Sequence, residues 1–180
     1  MGSEMCIRDR RYLCDPVMGD HAPGLCVPQA IAEVLRKRLL PLADLATPNS
    51  FELGNLTDQP IDTLDDLHAA ARSLSLAEGA RLVATGCELR DTAAGQLESV
   101  ILGPEGFSRH PTAMLPVSLP GTGDLFAGLI VAALGRGYPL MQAVDQAQEL
   151  TGMAMSHAAR IGAREVVLSA PEFRGALLRM

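Results

Sequence analysis

The sequence predicts an α/β protein with a largely parallel sheet, and three observations lead to that class. Segments with strand character alternate with segments that have the period of amphipathic helices. Two short strand-like runs are stopped by prolines, Pro16 and Pro48. At 180 residues and 48% hydrophobic composition, the chain is long enough to form one domain with a sizeable core.

In the amino-terminal part, each element is an apolar run bounded by a residue that starts or stops it. In chain order, these elements are a strand at 12–15 (stopped by Pro16), a helix at 28–40 (Pro28 in its first turn), a strand at 44–47 (stopped by Pro48), a helix at 49–56 (capped by Asn49 or Ser50), a helix at 63–78 (closed by Gly79) and a strand at 81–85 (followed by Gly86).

The carboxy-terminal part is predicted in the same way, and its first elements form a hairpin because the turn at 103–106 contains two glycines and a proline. In chain order, the elements are hairpin strands at 97–102 and 106–110, a helix at 121–134 that ends at Gly135, a long helix at 140–159, a last strand at 165–168 and a helix at 171–178.

Composition and charge exclude several function classes. The net charge is −6, and the longest basic cluster is the short run 36–38 within a helix, so nucleic-acid binding is not expected. The apolar run at 125–134 is far shorter than the roughly 20 residues of a bilayer span, and no signal-peptide pattern occurs. The four cysteines show no CxxC or zinc spacing, which predicts reduced thiols in a cytoplasmic protein, with Cys14 and Cys87 as core residues.

Residues 1–10, MGSEMCIRDR, have no hydrophobic period and begin with Met-Gly-Ser. We expect this segment to be a non-native leader, so that the domain is predicted for residues 11–180. Since 12–15 already has the character of a core strand, the chain is expected to start inside a domain.

Polar residues follow each predicted strand, at the edge where open α/β sheets bind ligands. The carboxylates of Asp15, Asp20 and Glu52 are ligands that Mg²⁺ prefers. Gly121, Thr122 and Gly123 precede a helix and can present backbone N–H groups to an anion, while Asp124 in its first turn can accept a proton from a hydroxyl. The four clusters that would meet at this edge are 15–20, 47–52, 85–86 and 120–124.

Each cluster also has a purely structural interpretation. Asp15-Pro16 suits a strand-ending turn, and Asn49 and Asp124 suit helix caps. Taken singly, the residues leave both interpretations open. The absence of GxxxxGK[ST] excludes a P-loop enzyme, and the spacing of Gly121, Gly123 and Gly128 does not fit a Rossmann dinucleotide site.

Four blocks in order, DPVMGD (15–20), TPNSFEL (47–53), LVATG (82–86) and PGTGD (120–124), resemble the ribokinase-like small-molecule kinases. Within that superfamily the chain is most similar to pyridoxal kinases, over residues 11–180. The resemblance implies a three-layer αβα fold and ATP-dependent phosphorylation of the 5′-hydroxymethyl group of pyridoxal. It also implies Mg²⁺, usually a monovalent cation such as K⁺, and a cytoplasmic homodimer.

The resemblance also implies roles for individual residues. Asp124 looks like the base that contacts the substrate hydroxyl, and 121–123 look like the anion hole. Asp15 and Glu52, with Asp20 in addition, resemble residues near the metal and triphosphate. The positions that match the nucleotide site are Asp15, Thr47, Asn49, Glu52, Thr85, Arg109, His110, Pro111 and Thr112.

Two departures from the family pattern affect these expectations. The family's first strands and most of its pyridine-binding residues precede DPVMGD, so the chain resembles the carboxy-terminal, ATP-binding portion and is expected to lack measurable kinase activity alone. Turnover of pyridoxal with Mg-ATP at the rate of a full-length enzyme would contradict this expectation. The residues around 21–25 also lack the glycine-rich pattern expected after DPVMGD. This departure weakens the resemblance on which the role of Asp20 near the metal rests.

The nearest rival is a hydroxymethylpyrimidine kinase of thiamine synthesis, whose anion-hole motif usually carries Cys where Asp124 stands. A sugar kinase is a more distant alternative. A third alternative, of another class, is a non-catalytic nucleotide-binding fragment that retains these residues by inheritance.

Overall fold

The computed structural model describes residues 11–180, so the predicted leader at 1–10 lies outside the described residues. The strands are β1 (Leu13–Cys14), β2 (Gly19–Asp20), β3 (Gly24–Leu25), β4 (Leu45–Ala46), β5 (Arg81–Cys87), β6 (Gln96–Gly103) and β7 (Gly106–Ala113). The helices are α1 (Gln29–Val34), α2 (Ser50–Thr57), α3 (Leu64–Ser73), α4 (Thr122–Gly135), α5 (Leu140–Arg160) and α6 (Pro171–Arg179).

The main sheet has the strand order β1-β4-β5-β6-β7. Its first three strands are parallel, and β6 and β7 extend it as the antiparallel hairpin predicted from the turn at 103–106. The parallel strands bring the ends of β1, β4 and β5 to one edge of the sheet. The predicted α/β class is confirmed.

Helices cover both faces of this sheet, which gives three layers. Along β5, Leu82 and Ala84 belong to the core beneath α1, α2 and α3, whereas Val83 belongs to the core beneath α4, α5 and α6. This alternation follows from the two-residue period of a strand, and it explains why Leu82, Val83 and Ala84 are all apolar. Cys14 and Cys87 are buried in the first core, as predicted.

Several predicted boundaries differ from the structure. The helix predicted at 28–40 is α-helical only to Val34, continues as a π-helical turn at Leu35–Leu39, and ends in a 3₁₀ turn at Leu40–Leu42. Pro41 has no N–H for the helical ladder, which accounts for the end of regular bonding there. The helix predicted at 63–78 ends at Ser73, because Leu74 adopts an extended conformation that buries its side chain.

The predicted last strand at 165–168 is wrong. This segment is irregular, and its backbone contact with the rest of the fold is a hydrogen bond from Val166 N to Pro120 O at 3.4 Å. Val166 packs on the second core, but Leu168 is half exposed, so the segment does not bury an apolar run as a sheet strand does. Among residues 11–180, no helix combines the length and apolar character that a membrane crossing requires.

Candidate active site

The ends of β1, β4 and β5 meet through direct hydrogen bonds. Thr47 follows β4 and donates its hydroxyl to Asp15 Oδ1, after β1, at 2.9 Å. β5 joins this group through Thr85, whose backbone N–H donates to Pro48 O at 2.9 Å. A parallel bridge between Asn49 and Thr85 makes the second connection. The structure therefore brings together the three strand-end clusters that the sequence predicted at this edge.

Glu52 fastens the loop after β1 to the start of α2. Its Oε1 accepts from Met18 N and its Oε2 from Asn49 N, both at 2.9 Å, while Asn49 Oδ1 accepts from Glu52 N at 2.8 Å in a capping box. Asn49 also donates its amide to Gly19 O at 2.9 Å. Burial raises the pKa of Glu52, and the backbone hydrogen bonds act in the opposite direction.

The loop before α4 leaves the N-terminal end of this helix open to an anion. Gly121 has φ of +84°, a left-handed conformation that favours glycine, and it gives α4 no side-chain cap. Leu125 N makes the first helical bond, to Gly121 O at 3.0 Å, and within residues 11–180 the N–H groups of Thr122, Gly123 and Asp124 have no protein acceptor. These N–H groups and the helix dipole favour a negatively charged ligand.

Asp124 is exposed in the first turn of α4. Burial raises the pKa of Asp15, the Thr47 hydroxyl lowers it, and the negative charge of Asp124 raises it further. Asp15 and Asp124 therefore lie close enough for their charges to interact, and Asp124 adjoins backbone N–H groups that have no acceptor within residues 11–180. This arrangement can receive a phosphoryl group and remove a proton from an attacking hydroxyl.

A cleft of about 340 Å³ extends from this region along the sheet. Its walls come from the strand ends, the start of α4, the β6–β7 hairpin and the middle of α5. Its lining includes Asp20, Asn49, Thr85, Ser99, Thr112 and Thr122, together with Gln148, Thr151 and Met155 on α5.

Of the hairpin residues predicted for the nucleotide site, Thr112 lines the cleft and Arg109, His110 and Pro111 do not. Arg109 is held on the other face of β7 by ion pairs with Asp91 at 2.6 Å and with Glu98 at 2.5 Å. His110 is buried under α5, where its Nδ1 lies 2.6 Å from Asp145 Oδ1. The alternation of side chains along a strand places Arg109 and Pro111 on the face opposite Thr112, whereas His110 shares the face of Thr112 and is covered by α5.

The three predicted metal ligands do not form one cluster. No group of three or more His, Cys, Asp or Glu side chains in the described part of the chain is placed to hold a metal ion. Asp20 is on the exposed β2–β3 hairpin and accepts from His21 N at 2.7 Å, and both oxygens of Glu52 accept backbone N–H groups. Asp15 has one oxygen bonded to Thr47, which leaves the other for a cation that also takes phosphate and water oxygens.

Sequence reasoning missed two parts of the site. The β2–β3 hairpin was not predicted, although Gly19 is its signal: a Cβ there would lie 2.1 Å from Gly24 O. The contribution of α5 was also missed, because Thr151 sits in a helix whose pattern indicates only a core face. A buried threonine amid apolar residues is a weak sequence signal.

Replacing Asp15 by asparagine is expected to stabilise the protein near neutral pH. The raised pKa of Asp15 means that the folded state binds its proton more tightly than the unfolded state, so stability is lost as pH rises through the folded-state value. Asparagine keeps an oxygen for Thr47 and carries no charge. The melting temperature of D15N should exceed that of the wild type at about pH 7.5, and the gap should narrow towards about pH 4. A lower melting temperature for D15N at both pH values would contradict this.

A family model described as phosphomethylpyrimidine kinase matches residues 5–169. Pyridoxal kinase PdxY of Leifsonia xyli subsp. xyli is 39% identical over 121 residues, which are 67% of this chain and 43% of that protein.

Two solved structures have the same fold. Pyridoxal kinase from Lactobacillus plantarum has a TM-score of 0.79 at 29% identity, over 94% of this chain and 62% of that one. Pyridoxal kinase from Staphylococcus aureus, in complex with AMP-PCP and pyridoxal, has a TM-score of 0.67 at 25% identity, over 81% of this chain and 52% of that one.

The chain spans about half the length of these relatives, between 43% and 62%. The resemblance inferred from the four sequence blocks is confirmed by the family match and by the shared three-layer architecture. The chain belongs to the phosphomethylpyrimidine kinase family of ribokinase-like proteins, and its relatives there include the pyridoxal kinases.

Proposed function

We propose that the protein containing this chain transfers the γ-phosphoryl group of ATP to the 5′-hydroxymethyl group of pyridoxal, giving pyridoxal 5′-phosphate and ADP, and that the 180 residues alone, which span about half the length of these relatives, lack measurable activity. The observation that carries the proposal is the start of α4, where N–H groups without an acceptor within residues 11–180 adjoin Asp124, whose charge reaches the strand-end carboxylate of Asp15. The Staphylococcus aureus pyridoxal kinase of the same fold was solved with AMP-PCP and pyridoxal, which supports both ligands.

Each residue at the start of α4 has a role in the proposed reaction. Asp124 accepts the proton of the substrate hydroxyl while the oxygen of that hydroxyl bonds to the γ-phosphorus. At the same time the bond between the γ-phosphorus and the β–γ bridging oxygen breaks, which releases ADP. The N–H groups of Gly121, Thr122 and Gly123, the anion hole implied by the resemblance, stabilise the charge on the transferring group, and those of Thr122 and Gly123 have no acceptor within residues 11–180. Catalysis of this kind rests mainly on positioning and charge neutralisation.

The proposed nucleotide residues are those at the sheet edge and the cleft wall, namely Asp15, Thr47, Asn49, Glu52, Thr85 and Thr112. Thr85, Asn49 and Thr112 line the cleft directly. Thr47 and Glu52 act through the residues they hold, Asp15 in one case and the loop at Met18 in the other. The cleft lining does not include Arg109, His110 or Pro111. Their place in the nucleotide site remains a prediction from the resemblance.

Asp15 is the residue best placed to hold Mg²⁺, because one of its carboxylate oxygens is not engaged by Thr47. The ion supplies positive charge to neutralise triphosphate oxygens. Asp20, at the cleft, and Glu52, whose charge interacts with that of Asp15, contribute negative charge around it. The monovalent cation, the homodimer and the cytoplasmic location are proposed from the family resemblance.

A second candidate is phosphorylation of hydroxymethylpyrimidine, which the description of the matched family model favours. Asp124 opposes it, because that enzyme type usually carries Cys at this position. A competition assay decides between them: the protein encoded by the complete gene receives Mg-ATP with equimolar pyridoxal, 4-amino-5-hydroxymethyl-2-methylpyrimidine and ribose. Pyridoxal 5′-phosphate as the main product supports the proposal, and a predominance of either other phosphate overturns it.

A further inference from the structure

Gln148, in the middle of α5, has a side-chain amide of which only one end is bonded to the protein. Its Nε2 donates to His110 O on β7 at 2.9 Å. Because a carbonyl oxygen only accepts, the NH₂ group faces His110 and the amide oxygen, Oε1, is turned away from it. Within residues 11–180 this oxygen accepts no hydrogen bond, and it is reachable from solvent, unlike Gln146 Oε1 and Thr151 Oγ1 on the same helix. Gln148 therefore offers a ligand one acceptor of fixed orientation.

A second contact holds this stretch of α5 against the hairpin. Asp145, three residues before Gln148, lies with its Oδ1 2.6 Å from His110 Nδ1. The helix is thus joined to His110 both at the backbone of that residue and at its ring. Because the amide of Gln148 is already held by the protein, a ligand that bonds to its oxygen costs little additional side-chain freedom.

The surface around Gln148 is open on the side of the cleft. Gln148, Thr151, Gly152 and Met155 all line the cleft, at the i, i+3, i+4 and i+7 positions of one helix face. Gly152 adds no side chain there, and a Cβ at this position would meet nothing within 4 Å outside the backbone of its own helix. Glycine costs about 0.5–1 kcal/mol relative to alanine inside a helix, and neither a left-handed φ nor a crowded neighbour requires it here. The bare backbone at Gly152 leaves room for a flat group beside Gln148.

Other parts of the cleft indicate the class of ligand. Thr122 and Gly123, at the phosphate-binding start of α4, line one part of it, and Leu97 and Val117 give it apolar walls. A nucleotide whose phosphates lie at α4 fits this cleft with its base between apolar walls and α5. Adenine carries an exocyclic amine, a donor that matches the acceptor of Gln148, whereas guanine carries a carbonyl oxygen at the same ring position.

Resting on the proposed kinase function, we propose that Gln148 is a specificity-determining residue whose Oε1 accepts a hydrogen bond from the exocyclic amine of adenine. The site then selects ATP over GTP, because the carbonyl oxygen of guanine would face the oxygen of Gln148 with no proton between them. A site built around such a hydrogen bond rejects an analogue that lacks the donor, since the amide oxygen is then left unpaired.

The test compares ADP with purine riboside 5′-diphosphate, which carries hydrogen in place of the amine, on the protein encoded by the complete gene. Calorimetry should show that the wild type binds ADP about three- to tenfold more tightly, the effect of one hydrogen bond. Gln148→Met keeps the length of the side chain and removes the amide acceptor. It should lower the affinity for ADP to that for the analogue and leave the affinity for the analogue unchanged. Damage to the fold would lower both affinities, and it cancels in their ratio.

Gln146→Met is the matched control for this variant. Gln146 lies on the same helix, but its Oε1 is buried without a partner and the residue does not line the cleft, so its replacement should leave both affinities unchanged. If the wild type binds ADP and the analogue equally, or if Q148M weakens both by the same factor, the inference is wrong and the proposed function stands. If the wild type binds neither ligand, both are overturned.

Discussion

Replacing Asp124 by asparagine is expected to lower kcat for pyridoxal phosphorylation by about 10²- to 10⁴-fold, the usual contribution of a general base. Asparagine has nearly the same shape but cannot take the hydroxyl proton. Affinity for ADP should change little, because the N–H groups at the start of α4 remain. The measurement is ADP release by the protein encoded by the complete gene, with ADP binding determined in parallel.

A matched control for this variant is Glu172→Gln. Glu172 is also an exposed acid in the first helical turn, at the start of α6, where it serves only the helix dipole. Its replacement should leave kcat unchanged. If D124N keeps more than about a tenth of the wild-type rate, Asp124 is a helix-end residue and not the base. The non-catalytic alternative predicts no turnover in the wild type either.

Replacing Glu52 by alanine is expected to cost about 2–4 kcal/mol of unfolding free energy, the largest stability effect we predict. The change removes the acceptor of both Met18 N and Asn49 N in a buried setting. Each unsatisfied buried donor costs about 1–3 kcal/mol. Urea unfolding at neutral pH measures the loss.

The control for Glu52 is Asp66→Ala, which breaks the same kind of capping box at the start of α3. Asp66 accepts from Thr63 N at 2.8 Å and from Asp62 N at 3.1 Å, but it lies at a more exposed helix start. Loss of a solvent-accessible cap costs about 0.5–2 kcal/mol. If E52A costs no more than D66A, Glu52 is an ordinary cap, and its contact with Met18 adds nothing.

The sheet edge was predictable because each cluster follows a strand in sequence. Parallel strands bring their ends together whatever the loops do, so the proximity of Asp15, Thr47 and Thr85 followed from the element order. The glycines before α4 were equally informative, because a left-handed residue at 121 has few alternatives to glycine.

The inner cleft was not predictable, because it depends on how a helix packs against a hairpin. His110 and Thr112 share one face of β7, yet His110 is covered by Asp145 and Gln148 while Thr112 opens on the cleft. No local sequence pattern indicates whether His110 or Thr112 is the residue that α5 covers. The same limit produced the wrong strand at 165–168, since an apolar run becomes a strand only where a neighbouring strand can bond to it.

NMR on the isotopically labelled protein tests most directly whether the start of α4 binds nucleotide phosphate. Addition of Mg-ADP should shift the amide resonances of Thr122, Gly123 and Asp124 in a saturable way, because these N–H groups have no acceptor in the described part of the chain. Adenosine, which lacks phosphates, should leave those three resonances in place. ADP binding that saturates without moving them would contradict the account.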